Sequence, residues 1–217
     1  MQITLPNIKE IIPKLLKKKS VFNKREQTIK DWLNEQQERI RRNNFLLKNK
    51  SEENNIKILN LLFGGLLMRR VRGEIGEKIA EKLKDNFQND ELLTIKYIGF
   101  KTRDLALSEF NNNYVANDLH VSRIMTRIGL LNYGFDLVKD NDLEMGNNPG
   151  DNKNYLFLHK LVLRLSDLLD RKYSPTDLDR IFWHFGRSIC KNKPQCNENK
   201  CPIKNICLTG KHKISLT

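Results

Sequence analysis

All four cysteines of this 217-residue chain fall within eighteen residues, at Cys190, Cys196, Cys201 and Cys207, with five, four and five residues between them. Thiols gathered so closely suit one tetrahedral set of soft ligands better than four separate buried side chains. Three chemistries compete for such a set. Zinc knuckles usually keep about two to four residues between paired cysteines, and only the middle gap falls in that range. Two disulfides need an oxidising compartment, yet the start Met1-Gln2-Ile3-Thr4-Leu5-Pro6 has no long apolar leader. The expected compartment is therefore the cytoplasm, where thiols stay reduced. An iron–sulfur cluster accepts loops with wider, uneven gaps, and it is favoured over zinc, with disulfides last.

Charge narrows the partner. Lysine and arginine number 39 against 26 aspartate and glutamate, a formal +13, which biases encounters toward polyanions, nucleic acid first. A solvated lysine-rich surface explains the excess almost as well. Both ends are basic: residues 1–55 hold 13 basic and 7 acidic side chains, and residues 186–217 hold 7 and 1. A cluster ligated by thiolates is itself anionic, so part of the tail's positive charge answers to it and not to a nucleic acid. No run approaches the roughly 20 apolar residues of a membrane span, and the chain is expected to be soluble, with no membrane partner.

The elements that must position these groups read as helices. Ile8, Ile11, Ile12, Leu15 and Leu16 recur at helical spacing. A second helix, with Asn23 as its cap, has the inner face Ile29, Trp32, Leu33 and Ile40. Ile56 to Met68 is apolar nearly all round, as a central helix would be, with a bend or close packing expected at Gly64-Gly65. Helices are expected over Glu74 to Phe87 and Glu91 to Ile95, an exposed loop over Asp140 to Asn154, and an apolar helix over Leu156 to Arg171. Ser174 caps a last helix with Pro175 in its first turn, leading through Leu178, Ile181, Phe182 and Phe185 to the cysteines. His159 and His184 read as packed histidines. No strand-like alternation occurs, so the fold class is all-α.

Between these helices, Ile98-Gly99-Phe100-Lys101-Thr102 places a glycine between apolar residues, followed by Lys-Thr opening a helix. That is the shape of a helix-hairpin-helix, whose backbone N–H groups hold a DNA phosphate. Asp118 follows seventeen positions after Lys101, two residues before His120 and five before Arg123.

These stretches, together with His184-Phe185-Gly186-Arg187 and the four cysteines after it, resemble the endonuclease III family of DNA glycosylases over most of residues 56–207. The resemblance implies a two-domain helical fold: residues 56–135 with the helix-hairpin-helix, and residues 1–55 with 136–217 around a C-terminal iron–sulfur cluster loop. It implies that Cys190, Cys196, Cys201 and Cys207 hold a [4Fe-4S] cluster. Lys101 is the implied nucleophile and Asp118 the assisting aspartate. Ile98, Gly99, Phe100, Thr102, His120 and Arg123 are the implied DNA-contacting residues, with His120 and Arg123 bracing the aspartate loop or binding phosphate. The implied function is a DNA N-glycosylase with abasic-site lyase activity in base-excision repair. Its partner is double-stranded DNA with a damaged, mismatched or abasic site, and it is expected to be monomeric, cytoplasmic and nucleoid-associated. The chain departs from the family pattern at Lys96, Tyr97 and Arg103 in the hairpin, and at Met68, Arg69 and Arg70, where a base-wedging glutamine is absent. In a second alignment the hairpin is deleted, and Lys101 is then not catalytic. Two rival functions stand beside the enzyme: a non-catalytic DNA-binding iron–sulfur protein, and a zinc-stabilised helical interaction module.

Overall fold

The computed structural model describes residues 7–22, 24–49, 51–67, 93, 98–130, 152–194, 196–197 and 200–214. In chain order the described elements are α1 (Ile8–Leu16), β1 (Lys19–Phe22), β2 (Arg25–Thr28), α2 (Ile29–Lys48), α3 (Glu52–Leu67), α4 (Phe100–Leu107), α5 (Leu119–Ile128), α6 (Asn152–Leu168), α7 (Pro175–Ser188) and α8 (Leu208–Ile214). The architecture is mostly helical, as the periodicity predicts. No described helix is long and apolar enough to cross a membrane.

The expectation that strands are absent is corrected by an antiparallel hairpin in which Lys19 pairs with Thr28 and Phe22 with Arg25. Strands of four residues carry too few alternations to register as a period-two signal. The chain reverses through Lys24, which takes the left-handed φ of 64°. The hairpin delivers α2 directly: Thr28 caps it, its hydroxyl accepting the Asp31 N–H at 3.1 Å. Asn23, the expected cap, lies outside the described residues. So do the expected helix over Glu74 to Phe87, the wedge positions 68–70, residues 94–97 before the hairpin glycine, and residues 131–151. The helix α6 begins at Asn152, inside the stretch expected to be loop.

Two apolar cores form. The larger is built by Ile11, Ile12 and Leu15 of α1, Ile29 and Leu33 of α2, Val121, Ile124 and Met125 of α5, Leu158 and Val162 of α6, and Ile181, Phe182 and Phe185 of α7. The smaller joins Ile58 of α3 to Ile98, Ala106, Leu107 and Phe110, with Leu46, Leu47 and Tyr114 packed against it. Ile58 of α3 is buried while Ile56 is exposed, so the start of this apolar helix keeps one face toward solvent. Burying each Leu, Ile or Phe contributes about 1.5–3 kcal/mol, so the larger core fixes α5 against α7. Gly186 lets that pair close: a Cβ there would stand 3.0 Å from the His120 carbonyl oxygen and 3.2 Å from Ile124 Cγ1.

The caps of these two helices are unusually complete. Asp118 caps α5, and Gly129 ends it in the left-handed conformation at φ 93°. For α7, Ser174 and Asp177 form a reciprocal capping box with Pro175 in the first turn, as the sequence predicts. Thr176 then ties this end to the segment before α5, its N–H donating to Asn112 O at 3.0 Å and its hydroxyl to Tyr114 O at 2.7 Å.

Candidate functional site

Gly99 is the N-cap of α4, in extended backbone, with no described residue within 4 Å of where a Cβ would sit. The first N–H groups of a helix have no intrahelical acceptor, a chemistry that suits an anion. Below the turn, α4 is pinned by a fully buried carboxylate, Asp104. Arg103 Nε donates to its Oδ1 at 2.7 Å, Tyr155 Oη of α6 donates to its Oδ2 at 2.8 Å, and His159 Nδ1 stands 3.5 Å from Oδ2. Burial, with the Asp104 charge added to it, pushes the Tyr155 phenol far above its usual range. Phe100 stacks on Tyr155 at 6.0 Å between ring centroids and lies under the Arg103 guanidinium at 5.0 Å. Of the expected contact residues, Phe100 is thus packed against protein and Ile98 is buried in the smaller core. Lys101 and Thr102 are half-buried on the first turn.

Asp118 is the N-cap of α5. Its Oδ1 accepts the N–H groups of His120 at 2.8 Å and Val121 at 3.1 Å, and 9% of the residue is exposed. Beside it stands Asp179 from the second turn of α7, 7% exposed. Burial and then the Asp118 charge push the Asp179 carboxyl up from 3.8 to about 7; Arg180, a hydrogen bond with the Ala116 backbone and Lys101 pull the other way. Lys101, Asp118 and Asp179 thus come from three helices into one electrostatic neighbourhood. Asp179 Oδ1 has no hydrogen-bond partner among the described residues, nor has either side-chain polar atom of the fully buried Asn117.

The other end of α5 and α7 holds two buried arginines. Arg123, 1% exposed, hydrogen-bonds His120 Nδ1 at 2.7 Å, Gly186 O at 2.8 Å and Asn192 Oδ1. It is an internal bracket that joins α5 to the start of the cysteine segment. Arg127 donates to Lys191 O at 2.6 Å, Asn192 O at 2.5 Å and Cys190 Sγ at 3.3 Å. Over these brackets opens a cleft of about 370 Å³ lined by His120, Arg123, Gly186, Arg187, Lys191, Asn192 and Lys193. Among the described residues the lining is cationic and carries no carboxylate.

Cys190 follows α7 directly, its N–H bonded to Phe185 O at 2.9 Å, and the Cys207 thiol donates to Arg127 O at 3.0 Å just before α8. A Cβ on Gly210 would stand 2.1 Å from Lys204 O, so the last cysteine turn and α8 pack without room for a side chain. Burial pushes Cys207 up to about 12 and Cys201 up to about 11, and the charges of Cys190 and Cys196 add to both. Among the described residues no three His, Cys, Asp or Glu side chains stand in a geometry that could hold a metal ion.

Sequence reasoning passed over Asp179, Arg127 and the Asp104–Tyr155 pair. Asp179 follows Asp177 near the start of a helix, where an acid ordinarily answers the helix dipole. Arg127 stands in a last turn for the converse reason. Neither position signals a buried partner more than fifty residues away along the chain. Comparison with family models, with curated proteins and with solved structures finds no match.

Proposed function

We propose that the chain is a DNA N-glycosylase with abasic-site lyase activity, acting in base-excision repair on double-stranded DNA that contains a damaged, mismatched or abasic site. The observation that supports this best is the buried Asp179 carboxyl, on which the charges of Asp118 and Lys101 both act. The open first turn of α4 suits a phosphate, as does the cationic cleft of His120, Arg187, Lys191 and Lys193.

In this reading the target nucleotide leaves the stack to reach the site. Lys101, as the neutral amine, attacks the sugar C1′ and the base departs with the electron pair of the glycosidic bond. Asp118 stabilises the positive charge that develops on the sugar. Opening of the sugar ring gives an imine with Lys101, and elimination then cuts the strand on the 3′ side.

The cysteine segment in this reading holds a [4Fe-4S] cluster of structural role. What supports it is the chemistry of the donor set: four free thiols on one short segment, with the Arg127 guanidinium 3.3 Å from Cys190 Sγ to offset the charge of an anionic cluster. When bound, the cluster would cross-link the two ends of the segment. Zinc is the alternative occupant, and the colour and iron content of the purified protein decide between them.

Borohydride trapping on duplex with an abasic site tests the catalytic reading, because lysine attack passes through a reducible imine. A covalent adduct is expected in the wild type and lost in Lys101→Gln, with duplex binding retained. An adduct that persists in Lys101→Gln points to another amine and to the alignment in which Lys101 is not catalytic. No adduct in the wild type refutes the lyase.

A further inference from the structure

We infer that Arg187, laid over Trp183, is a stacking platform for an unpaired nucleobase, with the phosphate of the same nucleotide held by Lys191 and Lys193. The inference deepens the nucleic-acid part of the proposed function and rests on that part, not on the Lys101 chemistry.

The chain has two tryptophans, and they stack on each other. Trp32 of α2 and Trp183 of α7 stand 6.0 Å apart between ring centroids, with their planes 22° apart. Trp32 is 8% exposed and meets the fully buried His184 ring at 4.7 Å, so the foot of the stack belongs to the protein interior. Trp183 is only partly buried. One turn further along α7, the Arg187 guanidinium lies over the Trp183 ring, 5.3 Å from its centroid, within the reach of a cation–π contact. Arg187 itself is exposed and lines the cationic cleft. Trp32, Trp183 and Arg187 thus run in series from the interior to the cleft.

An exposed arginine ordinarily samples many rotamers, and ordering it on a ligand costs affinity. Here the indole holds the guanidinium before any ligand arrives. A guanidinium plane so held is a surface on which an unstacked base can lie, as bases lie on aromatic rings and arginine planes in single-strand recognition. The phosphate has its place as well. Lys191 and Lys193 are exposed on the segment just after α7, and Arg127 of α5 fastens that segment by donating to Lys191 O at 2.6 Å and Asn192 O at 2.5 Å. The cleft volume of about 370 Å³ falls in the range of pockets that take whole small molecules, roughly 300–1,000 Å³, and is more than one phosphate fills. A base paired and stacked within a duplex cannot offer its face to the platform, so the ligand is an unpaired nucleotide.

Binding of single-stranded oligothymidylate to the full-length protein tests this, with a phosphate–propanediol oligomer of the same length and charge, but without bases, as the comparison. The wild type is expected to bind the oligothymidylate tighter, on the order of ten- to a hundredfold. Arg187→Lys keeps the charge and loses the plane, so it is expected to close most of that gap while binding the propanediol oligomer as the wild type does. Lys193→Ala is expected to weaken both probes by the same factor, since it serves the phosphate alone. Equal affinity of the wild type for the two probes, or a gap that persists in Arg187→Lys, overturns the platform. A second measurement needs no variant. Photo-cross-linking with 5-iodouracil in place of one thymine is expected to mark the peptide that carries Trp183 and Arg187, and an adduct found only on other elements overturns the platform. A fully paired duplex that marks this peptide equally well overturns the restriction to unpaired nucleotides. Duplex binding with no gap between the probes leaves the glycosylase reading standing and the platform fallen; a gap of the expected size, with no borohydride-trapped adduct on abasic duplex, gives the reverse.

Discussion

Replacing Gly186 by alanine tests how closely α5 and α7 must approach. In an isolated helix the change is favourable by about 0.5–1 kcal/mol, because glycine loses more backbone freedom on folding. In this fold the added methyl stands 3.0 Å from the His120 carbonyl oxygen, 3.1 Å from His120 Cβ and 3.2 Å from Ile124 Cγ1. Two of those atoms belong to the backbone or the first side-chain carbon of a helix that is capped at both ends and held by Arg123, so no flexible chain end can swing aside. Overpacking of this kind costs about 1–3 kcal/mol. The net expectation is a destabilisation of about 1–2 kcal/mol, which for a chain of this size lowers Tm by about 2–8 °C. Thermal unfolding followed by circular dichroism measures it. The same displacement lengthens the bond from Arg123 to Gly186 O across the seam, so on the proposed reading duplex affinity should weaken in step with the loss of stability. A Gly186→Ala protein as stable as the wild type, or more so, would show that the seam has slack and that glycine is not what sets the separation.

Two further outcomes follow from the buried charges. Arg127→Lys removes the planar fork that serves Lys191 O, Asn192 O and Cys190 Sγ at once; hydrogen bonds to a charged donor contribute about 1.5–3 kcal/mol each, so losing one or two should lower both denaturant stability and iron content, and unchanged values would remove Arg127 from the account of the cysteine segment. Asp179 sets a pH slope: its carboxyl is raised from 3.8 to about 7 in the fold, so the folded state holds a proton that the unfolded state has already lost. Stability should therefore fall as pH rises through that window, by up to a few kcal/mol, and Asp179→Asn should flatten the slope in urea titrations at successive pH values.

How much of this was legible beforehand depends on the range of the signal. The inner face of α2 and the cap of α7 are local patterns, and Trp32, Leu33, Ile40, Ser174 and Pro175 stand where periodicity and capping chemistry put them. The four cysteines announce themselves by being the only ones. The β1–β2 hairpin was not legible, because its eight residues are mostly polar and their pairing is fixed by a ladder and one left-handed lysine rather than by composition. Asp104, with Tyr155 fifty-one residues away, was equally silent. Buried ion and hydrogen-bond partners are chosen by tertiary packing, and an acid on a helix carries no local mark of whether it faces water or a phenol.

That same distinction explains why the cysteine segment bears on a site that it does not touch. Asp179 and Gly186 are seven residues apart on α7, hence on one face and about 10 Å apart along the axis. Asp118 and His120, their counterparts on α5, are two residues apart at the helix start. The start of α5 thus meets α7 at Gly186. Arg123 and Arg127 fasten the C-terminal end of α7 and the residues after it to α5 through Gly186 O, Lys191 O and Asn192 O. Loosening that end lets α7 pivot about its capped start, which Thr176 holds to Asn112 and Tyr114, and the free end moves most. Asp179 sits only a turn from the pivot, so its displacement is the smaller one. Loss of the cysteine anchor should therefore disrupt the phosphate cleft first and the setting of Asp179 second: duplex affinity falls before the pH slope that Asp179 sets disappears.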